Sequence, residues 1–402
     1  MSSIKVSLGT HANRQYACAP QSLPLHTRKT AAPQQAQAPS PTDDVRFTVP
    51  ADSYKMPFGP GENTVGQSPL ALRAALRARS TRARAIACLG NSHPTRLQCV
   101  KLHLPNEPYI RSRELVAALQ QADFQALKRL KFPAVAVFDF DNTLMAGDVF
   151  GEFAELLVQT RCLKPEANPP LAKLMGSMGL PGLSEAELLR RDVNDNLETA
   201  LTLMMARERG APAESSIAIS EMFFILAAAM KGLTPAIAGE LAHKLYEDGV
   251  AGRAPYRTHV FDPSPHPYDS AQNIVEVLQD KGIECHIVTA GLRLLAQAGA
   301  KYLGIANRHV VGAELETQDG VYTGRVSSVV DIGKPALVQR NIAPAPLFAF
   351  GDSPSTDGPM LKLALIQGFM VDPQPAFIEM AKRENQHFMT LSFKKPGHTN
   401  AL

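Results

Sequence analysis

Ala134-Val135-Ala136-Val137-Phe138 is a continuous apolar run with no polar face to offer water. A strand of this kind is buried on both faces, as in a parallel sheet. Similar runs recur at Cys285-His286-Ile287-Val288, Leu347-Phe348-Ala349-Phe350 and Phe369-Met370-Val371. Helical patterns lie between them, for example Asp269 to Lys281 with Ile274, Val275 and Leu278 inward. Strands alternating with helices predict an α/β domain with a parallel sheet. Between the first two runs, residues from about 151 to 268 are mostly helical in pattern and far exceed an ordinary loop. They predict an inserted helical domain. Its most apolar stretch, Met222 to Met230 (MFFILAAAM), is about half of the roughly 20 residues needed to cross a bilayer, so it predicts a buried helix and no membrane span.

The N-terminal part has a different texture. Residues 1–66 contain no Asp or Glu before Asp43, and Ser, Thr, Gln, Ala and Pro dominate. Too few large apolar groups are present to offset the entropy of ordering, which predicts disorder. The first residues lack the apolar core of a secretory signal peptide, so export by the standard route is not expected. Residues 67–131 are expected to form a helical extension. Ser68-Pro69 is a helix start, followed by Arg73, Arg77, Arg79, Arg82 and Arg84. Such a basic helix can be a solvated face or touch a membrane surface or nucleic acid. A net charge of +3, from 41 Lys and Arg against 38 Asp and Glu, does not favour nucleic acid. A second helix is expected from Ser112 to Leu130, where Leu115, Leu119, Ala122 and Leu127 recur. The five cysteines form no CxxC pair and fit reduced thiols in a cytosol-like compartment.

Three of the apolar runs end in polar chemistry, where open parallel sheets place their ligands. The first ends in Asp139-Phe140-Asp141-Asn142-Thr143. Its two aspartates would share a face in an extended segment, and a turn would still let both address one ligand. The second ends in Thr289-Ala290-Gly291, a hydroxyl and backbone N–H groups at the start of a helix, which suits an anion. The third ends in Gly351-Asp352-Ser353-Pro354-Ser355-Thr356-Asp357, and Gly333-Lys334-Pro335 ahead of it supplies a cation. Carboxylates converging without a cation repel, and a hard divalent ion resolves the repulsion. Mg²⁺ suits the set, because carboxylates, substrate phosphate and waters complete its octahedron. Thr289 and Lys334 are then placed to hold the remaining phosphate oxygens. Plainer readings exist: turn formers for Asp139 and Asp141, a helix cap for Thr289, a surface position for Lys334, and an N-cap before Pro359 for Asp357. Asp148 can shape a flap or a plain loop. Arg253, Arg257, His259, His266 and Arg293 are candidates for substrate contact or structural ion pairs.

In this order, Asp139-x-Asp141-x-Thr143, Thr289, Lys334 and Gly351-Asp352 through Asp357 resemble the four motifs of the haloacid dehalogenase (HAD) superfamily. The insertion resembles the C1 helical cap of phosphoserine-phosphatase-like members, and Glu316 to Gly324 resembles that subgroup's hairpin before the lysine. The resemblance implies a Rossmann-like parallel sheet sandwiched by helices, with the catalytic core at 132–150 and 270–395 and the cap at 151–269. It implies Asp139 as nucleophile, Asp141 as general acid and base, and Thr289, Ala290 and Lys334 as phosphate ligands. It further implies Mg²⁺ held by Asp139, the Asp141 carbonyl and Asp352, with Asp357 as a direct or supporting ligand. The implied activity is hydrolysis of a phosphomonoester through an aspartyl-phosphate, on a small metabolite or a phosphoprotein. Transfer of the phosphoryl group to a protein hydroxyl and an inactive binding scaffold are the alternatives. The acid-free N-terminus resembles those of bacterial type III secreted effectors, which implies secretion into a host cell and a host protein target, against a soluble cytoplasmic protein.

Overall fold

The structure, a computed structural model, describes residues within 102–393, excepting 105–108, 125–132, 147–148, 181, 209, 213–215, 218, 254–264, 327–332, 344, 355, 374–377 and 379–387. The expected N-terminal tail at 1–66 and the arginine-rich helix at 68–88 lie outside the described residues.

In chain order the elements begin with β1 (Tyr109–Arg111) and α1 (Ser112–Gln121). The Arg111 N–H donates to the Glu114 carboxylate (3.0 Å), and Leu115 and Leu119 bury the inner face of α1. The helix expected to reach Leu130 stops at Gln121. Ala122 turns extended, and the Lys281 ammonium takes the carbonyls of Gln120 and Ala122 at 2.6 and 3.2 Å. A tertiary contact therefore ends the helix where periodicity would continue it. The stretch expected as a helical extension also contributes β1 as an edge strand of the main sheet.

Next come β2 (Val135–Phe138), buried at all four positions, and the two-residue β3 (Met145–Ala146). Among the described residues six α-helices follow: α2 (Val149–Thr160), α3 (Asn168–Ser177), α4 (Glu185–Leu188), α5 (Val193–Glu208), α6 (Ile219–Ala229) and α7 (Pro235–Val250). Local sequence sets several of their starts. Ser184 and Glu187 form a reciprocal capping box at α4, and the Thr234 hydroxyl accepts the Ile237 N–H ahead of α7, whose first residue is Pro235. The run Met222–Met230 is buried except at Phe224. Among the described residues no helix is long and apolar enough to cross a membrane.

The chain returns through β4 (His266–Pro267), which pairs antiparallel with β3 and so ties the two ends of the helical segment together. Then follow α8 (Asp269–Asp280), β5 (Glu284–Leu292), α9 (Arg293–Ala300), β6 (Val310–Ala313), the hairpin β7 (Leu315–Gln318) and β8 (Val321–Val326), α10 (Gly333–Asn341), β9 (Phe348–Gly351), α11 (Gly358–Leu361), β10 (Gln367–Val371) and β11 (Phe388–Ser392). Asp319 and Gly320, both at positive φ (51° and 80°), make the two-residue hairpin turn. The hairpin is stitched to the loop after α6 by Gly232 N–H to the Tyr322 carbonyl (2.9 Å) and Tyr322 N–H to the Leu233 carbonyl (2.8 Å).

The main sheet is parallel throughout, in the order β1-β11-β10-β9-β2-β5-β6, with β2 between β9 and β5. Its two faces bury different cores. Ala136 and Phe138 face the larger one, whereas Val137, Val288, Ala349 and Met370 pack with Leu337, Val338 and Met360 from α10 and α11. This is the expected α/β architecture, a parallel sheet sandwiched by helices.

Candidate active site

Phe138 pairs with Ile287 on one side and Phe350 on the other, so three strands run out together. The rings of Phe138 and Phe350 stack at 4.4 Å, and those of Phe350 and Phe369 at 4.9 Å. One residue further, the Asp139 N–H donates to the Phe350 carbonyl (2.9 Å) and the ladder stops. The chain then turns sharply. The Phe140 carbonyl accepts the N–H groups of Leu144 (2.9 Å) and Met145 (3.0 Å), and Asn142 takes a positive φ of 55°. The Phe140 ring goes the other way, edge-on to Tyr246 at 6.3 Å, and anchors the turn against α7 and α9. Asp139 is left buried at the strand end, and Asp141 is half-buried in the turn.

Lys334, the second residue of α10, is buried and brings its ammonium onto the Asp139 carboxylate and, at 2.6 Å, onto Asp357. The surface alternative for this lysine is thereby excluded. Asp357 occupies the N-cap position of α11, yet its side chain does not cap that helix. Its second oxygen accepts the N–H groups of Asp352 (3.0 Å) and Ser353 (2.9 Å) instead. The loop after β9 is thus wound around the Asp357 carboxylate, and a Cβ at Gly351 would fall 2.5 Å from the Asp357 Cβ. Only glycine leaves that space. The Thr143 hydroxyl donates to Asp352 at 3.4 Å, which links the turn after β2 to the loop after β9.

One carboxylate oxygen each from Asp139, Asp352 and Asp357 lie within 4.8 Å of one another. Burial raises the pKa of Asp139, opposed by Lys334 and reinforced by Asp352. Burial, with Asp357 beside it, lifts Asp352 to about 6, and burial with the Asp139 charge lifts Asp357 to about 6. For Lys334 burial opposes the charge, but Asp139 and Asp357 more than restore it and hold the ammonium above its ordinary range. One lysine against three carboxylates leaves an excess of negative charge on hard oxygen ligands. Those are the terms on which a divalent cation such as Mg²⁺ binds.

Thr289 differs from its expected setting. β5 continues to Leu292 with a register shift after Val288, and α9 starts only at Arg293, so Thr289 caps no helix. Its buried hydroxyl accepts the Gly291 N–H at 2.9 Å. Ala290 beside it is exposed. A Cβ on Gly291 would stand 3.2 Å from Thr289 Oγ1 and 3.8 Å from Asp141 Oδ2, which places Asp141 across from the Thr289 turn. Tyr246 is a neighbour that its sequence context does not flag. Its buried hydroxyl donates to the Leu295 carbonyl (3.0 Å), and its pKa is driven up by burial and then by Asp141. A lone tyrosine inside a helical pattern carries no signal for that position.

Of the other candidates, Arg253 pairs with Asp248 (2.6 Å), Arg293 with Glu314, and His266 lies in β4 opposite Ala146. Asp148, Arg257 and His259 lie outside the described residues.

Residues 136–362, more than half of the chain, match the family model described as haloacid dehalogenase-like hydrolase. No curated protein matches the sequence. Among solved structures, a protein of unknown function from Bordetella pertussis Tohama I is 21% identical, over 66% of this chain and 100% of that one, with a TM-score of 0.41. A conserved protein of unknown function from Anaerococcus prevotii DSM 20548 is 14% identical over 65% of this chain and 85% of that one, with a TM-score of 0.44. A phosphoserine phosphatase, as a phospho-aspartyl intermediate analogue, is 15% identical over 66% of this chain and 95% of that one, with a TM-score of 0.36.

Proposed function

We propose, from the premise that the chain belongs to the haloacid dehalogenase-like hydrolase family, that it is a Mg²⁺-dependent phosphatase of phosphomonoesters. The observation that carries this reading is the Asp139 carboxylate at the end of a central strand, held by the buried Lys334 that Asp357 also grips. A buried carboxylate positioned this way is a nucleophile aimed out of the sheet rather than a turn former. One Asp139 oxygen attacks phosphorus while the ester P–O bond breaks, and Asp141 gives a proton to the departing oxygen. Asp141 then takes a proton from the water that attacks the aspartyl-phosphate, the acyl P–O bond breaks, and inorganic phosphate leaves with Asp139 restored. Such a positioned acid and base contributes about 10²–10⁴-fold. Thr289, the Ala290 N–H and Lys334 hold the non-bridging oxygens.

Asp139, Asp352 and the Asp141 carbonyl would hold Mg²⁺. Asp357, whose oxygens already serve Lys334 and two backbone N–H groups, supports them. When bound, the ion supplies positive charge against the transferring phosphoryl group. On this reading residues 132–150 and 270–395 are the catalytic core and 151–269 the cap, whose closure excludes water and selects a small phosphorylated metabolite. The N-terminal 66 residues would serve as an export segment of a type III effector, testable by fusing them to a reporter and assaying its secretion.

The deciding experiment incubates wild type and Asp139→Asn with Mg²⁺, a phosphometabolite panel and γ-labelled ATP, and follows free phosphate and protein-bound label. Phosphate release lost in the variant supports the phosphatase. Label accumulating on an acceptor protein would replace it with a phosphotransferase, and equal behaviour of both chains with an Asp139-independent biological effect would leave a binding scaffold.

A further inference from the structure

Three ligand-bearing side chains meet at the opposite end of the strand that carries Thr289. Glu284 and His286 alternate onto one face of β5. Ile287 pairs with Val310, which sets His309, the residue before edge strand β6, beside His286. His286 itself pairs with Val137, so the group lies on the α10 side of the sheet. The two imidazoles stack with centroids 4.3 Å apart and planes inclined by 27°. Glu284 Oε2 is 3.4 Å from His286 Nε2, long for a hydrogen bond. One ligand atom from each of the three lies within 4.8 Å of the others. His286 is 7% exposed and held by the sheet, whereas His309 is half-buried and Glu284 reaches the surface, so the group opens to solvent on one side.

We propose that Glu284, His286 and His309 form a second metal site, for a borderline divalent transition cation of the Zn²⁺ type, with solvent completing its coordination. Two imidazoles and a carboxylate are a donor set that Zn²⁺ accepts in tetrahedral geometry. Ligand atoms about 2.0–2.1 Å from such an ion stand roughly 3.4 Å apart, so the cluster closes by small rotations of the exposed Glu284 and the half-buried His309. Mg²⁺ demands oxygen ligands and sheds water reluctantly, which directs it to the aspartates and leaves the imidazoles to the softer ion. Asp139 follows Phe138, the partner of Ile287, and so stands two residues beyond His286, about 7 Å at 3.3 Å per residue, and no residue belongs to both clusters. An ion here ties β5 to edge strand β6 and stabilises that edge of the sheet by mass action.

The test uses the full chain, stripped by chelator, with Mg²⁺ in excess and Zn²⁺ alone titrated under equilibrium dialysis and thermal unfolding. One Zn²⁺ retained per chain and a raised Tm are expected, and Co²⁺ in its place should give the visible bands of a tetrahedral site. Changes beyond the direct ligands of metal sites cost 10–100-fold in affinity, so His309→Ala should weaken Zn²⁺ by at least about 100-fold and abolish the Tm rise. Asp352→Asn should leave the Zn²⁺ stoichiometry as it was. Glu284→Gln, on the surface, should weaken Zn²⁺ in the same direction and replaces His309→Ala if that variant does not fold. No retained Zn²⁺, undiminished affinity in the ligand variant that folds, or loss confined to Asp352→Asn would each overturn the proposal.

Discussion

Phe138 and Asp139 are neighbours at the end of β2, yet different physics holds each of them. Phe138 is one ring of a stack that runs through Phe350 to Phe369 across three strands, at 4.4 and 4.9 Å. Its stabilisation comes from area removed from water and from offset aromatic contact, and neither depends on pH. Asp139 is buried against Lys334, which is shared with Asp357, and its burial is tolerable only while that cation stays. The apolar layer can lose a member and leave a cavity. The charged layer cannot lose its lysine without stranding two carboxylates. The charged cluster is therefore carried on the sheet and depends on its lysine, where the rings beneath it depend on packing alone.

The largest expected effect separates function from stability. On the proposed mechanism, Asp139→Asn should lower kcat/KM for phosphate release by roughly 10³-fold or more, because that mechanism's nucleophile is gone. Its unfolding free energy should equal or exceed that of wild type, since one buried like charge has been removed. A parallel loss of both would mean that Asp139 is structural.

Two core substitutions of similar size differ in their dependence on pH. Phe138→Ala should cost about 3–5 kcal/mol in urea unfolding at any pH from 5 to 8. Lys334→Met should cost about 3–5 kcal/mol at pH 8 without metal, and distinctly less at pH 5, where the carboxylates can take protons. Equal pH profiles for the two would break the contrast.

The wild-type chain carries the same signature. Asp352 and Asp357 titrate near 6 when folded against an ordinary value of 3.8, so the folded state holds the extra protons in that interval. Stability of the metal-free chain should rise as pH falls from 7 towards 4, and that gain is absent above pH 7. Excess Mg²⁺ should flatten the slope, because it competes with protons for the same oxygens.

Smaller effects come from backbone and caps. Gly351→Ala would force a methyl into Asp357 and should cost about 1–3 kcal/mol together with most of the activity. Ser184→Ala removes the capping box of α4, about 1 kcal/mol, and should leave kcat/KM unchanged. If the two variants lost activity equally, the loop around Asp357 would not be special.

Much of this arrangement is legible in the amino-acid order alone. Four apolar runs mark β2, β5, β9 and β10, because a strand buried on both faces has no alternative composition. The polar residues that end three of those runs are likewise readable, since ligands in parallel sheets gather at the C-terminal strand ends. The turn residues Asp319-Gly320 fix the hairpin locally.

Other features depend on contacts between distant residues. The termination of α1 by Lys281, the extension of β5 past Thr289, and the recruitment of Tyr109–Arg111 to the sheet edge are tertiary events that leave no mark on local periodicity. Asp357 has the local appearance of a helix cap, and only the approach of Lys334 and of the loop after β9 turns its carboxylate elsewhere. Composition and periodicity marked β2, β5, β9 and β10 as strands and α8 as a helix, because those patterns depend on neighbours a few residues away. Which partner each buried charge takes was decided by folding alone, because Coulomb attraction acts between groups that the chain separates by many residues and only packing brings within a few ångströms.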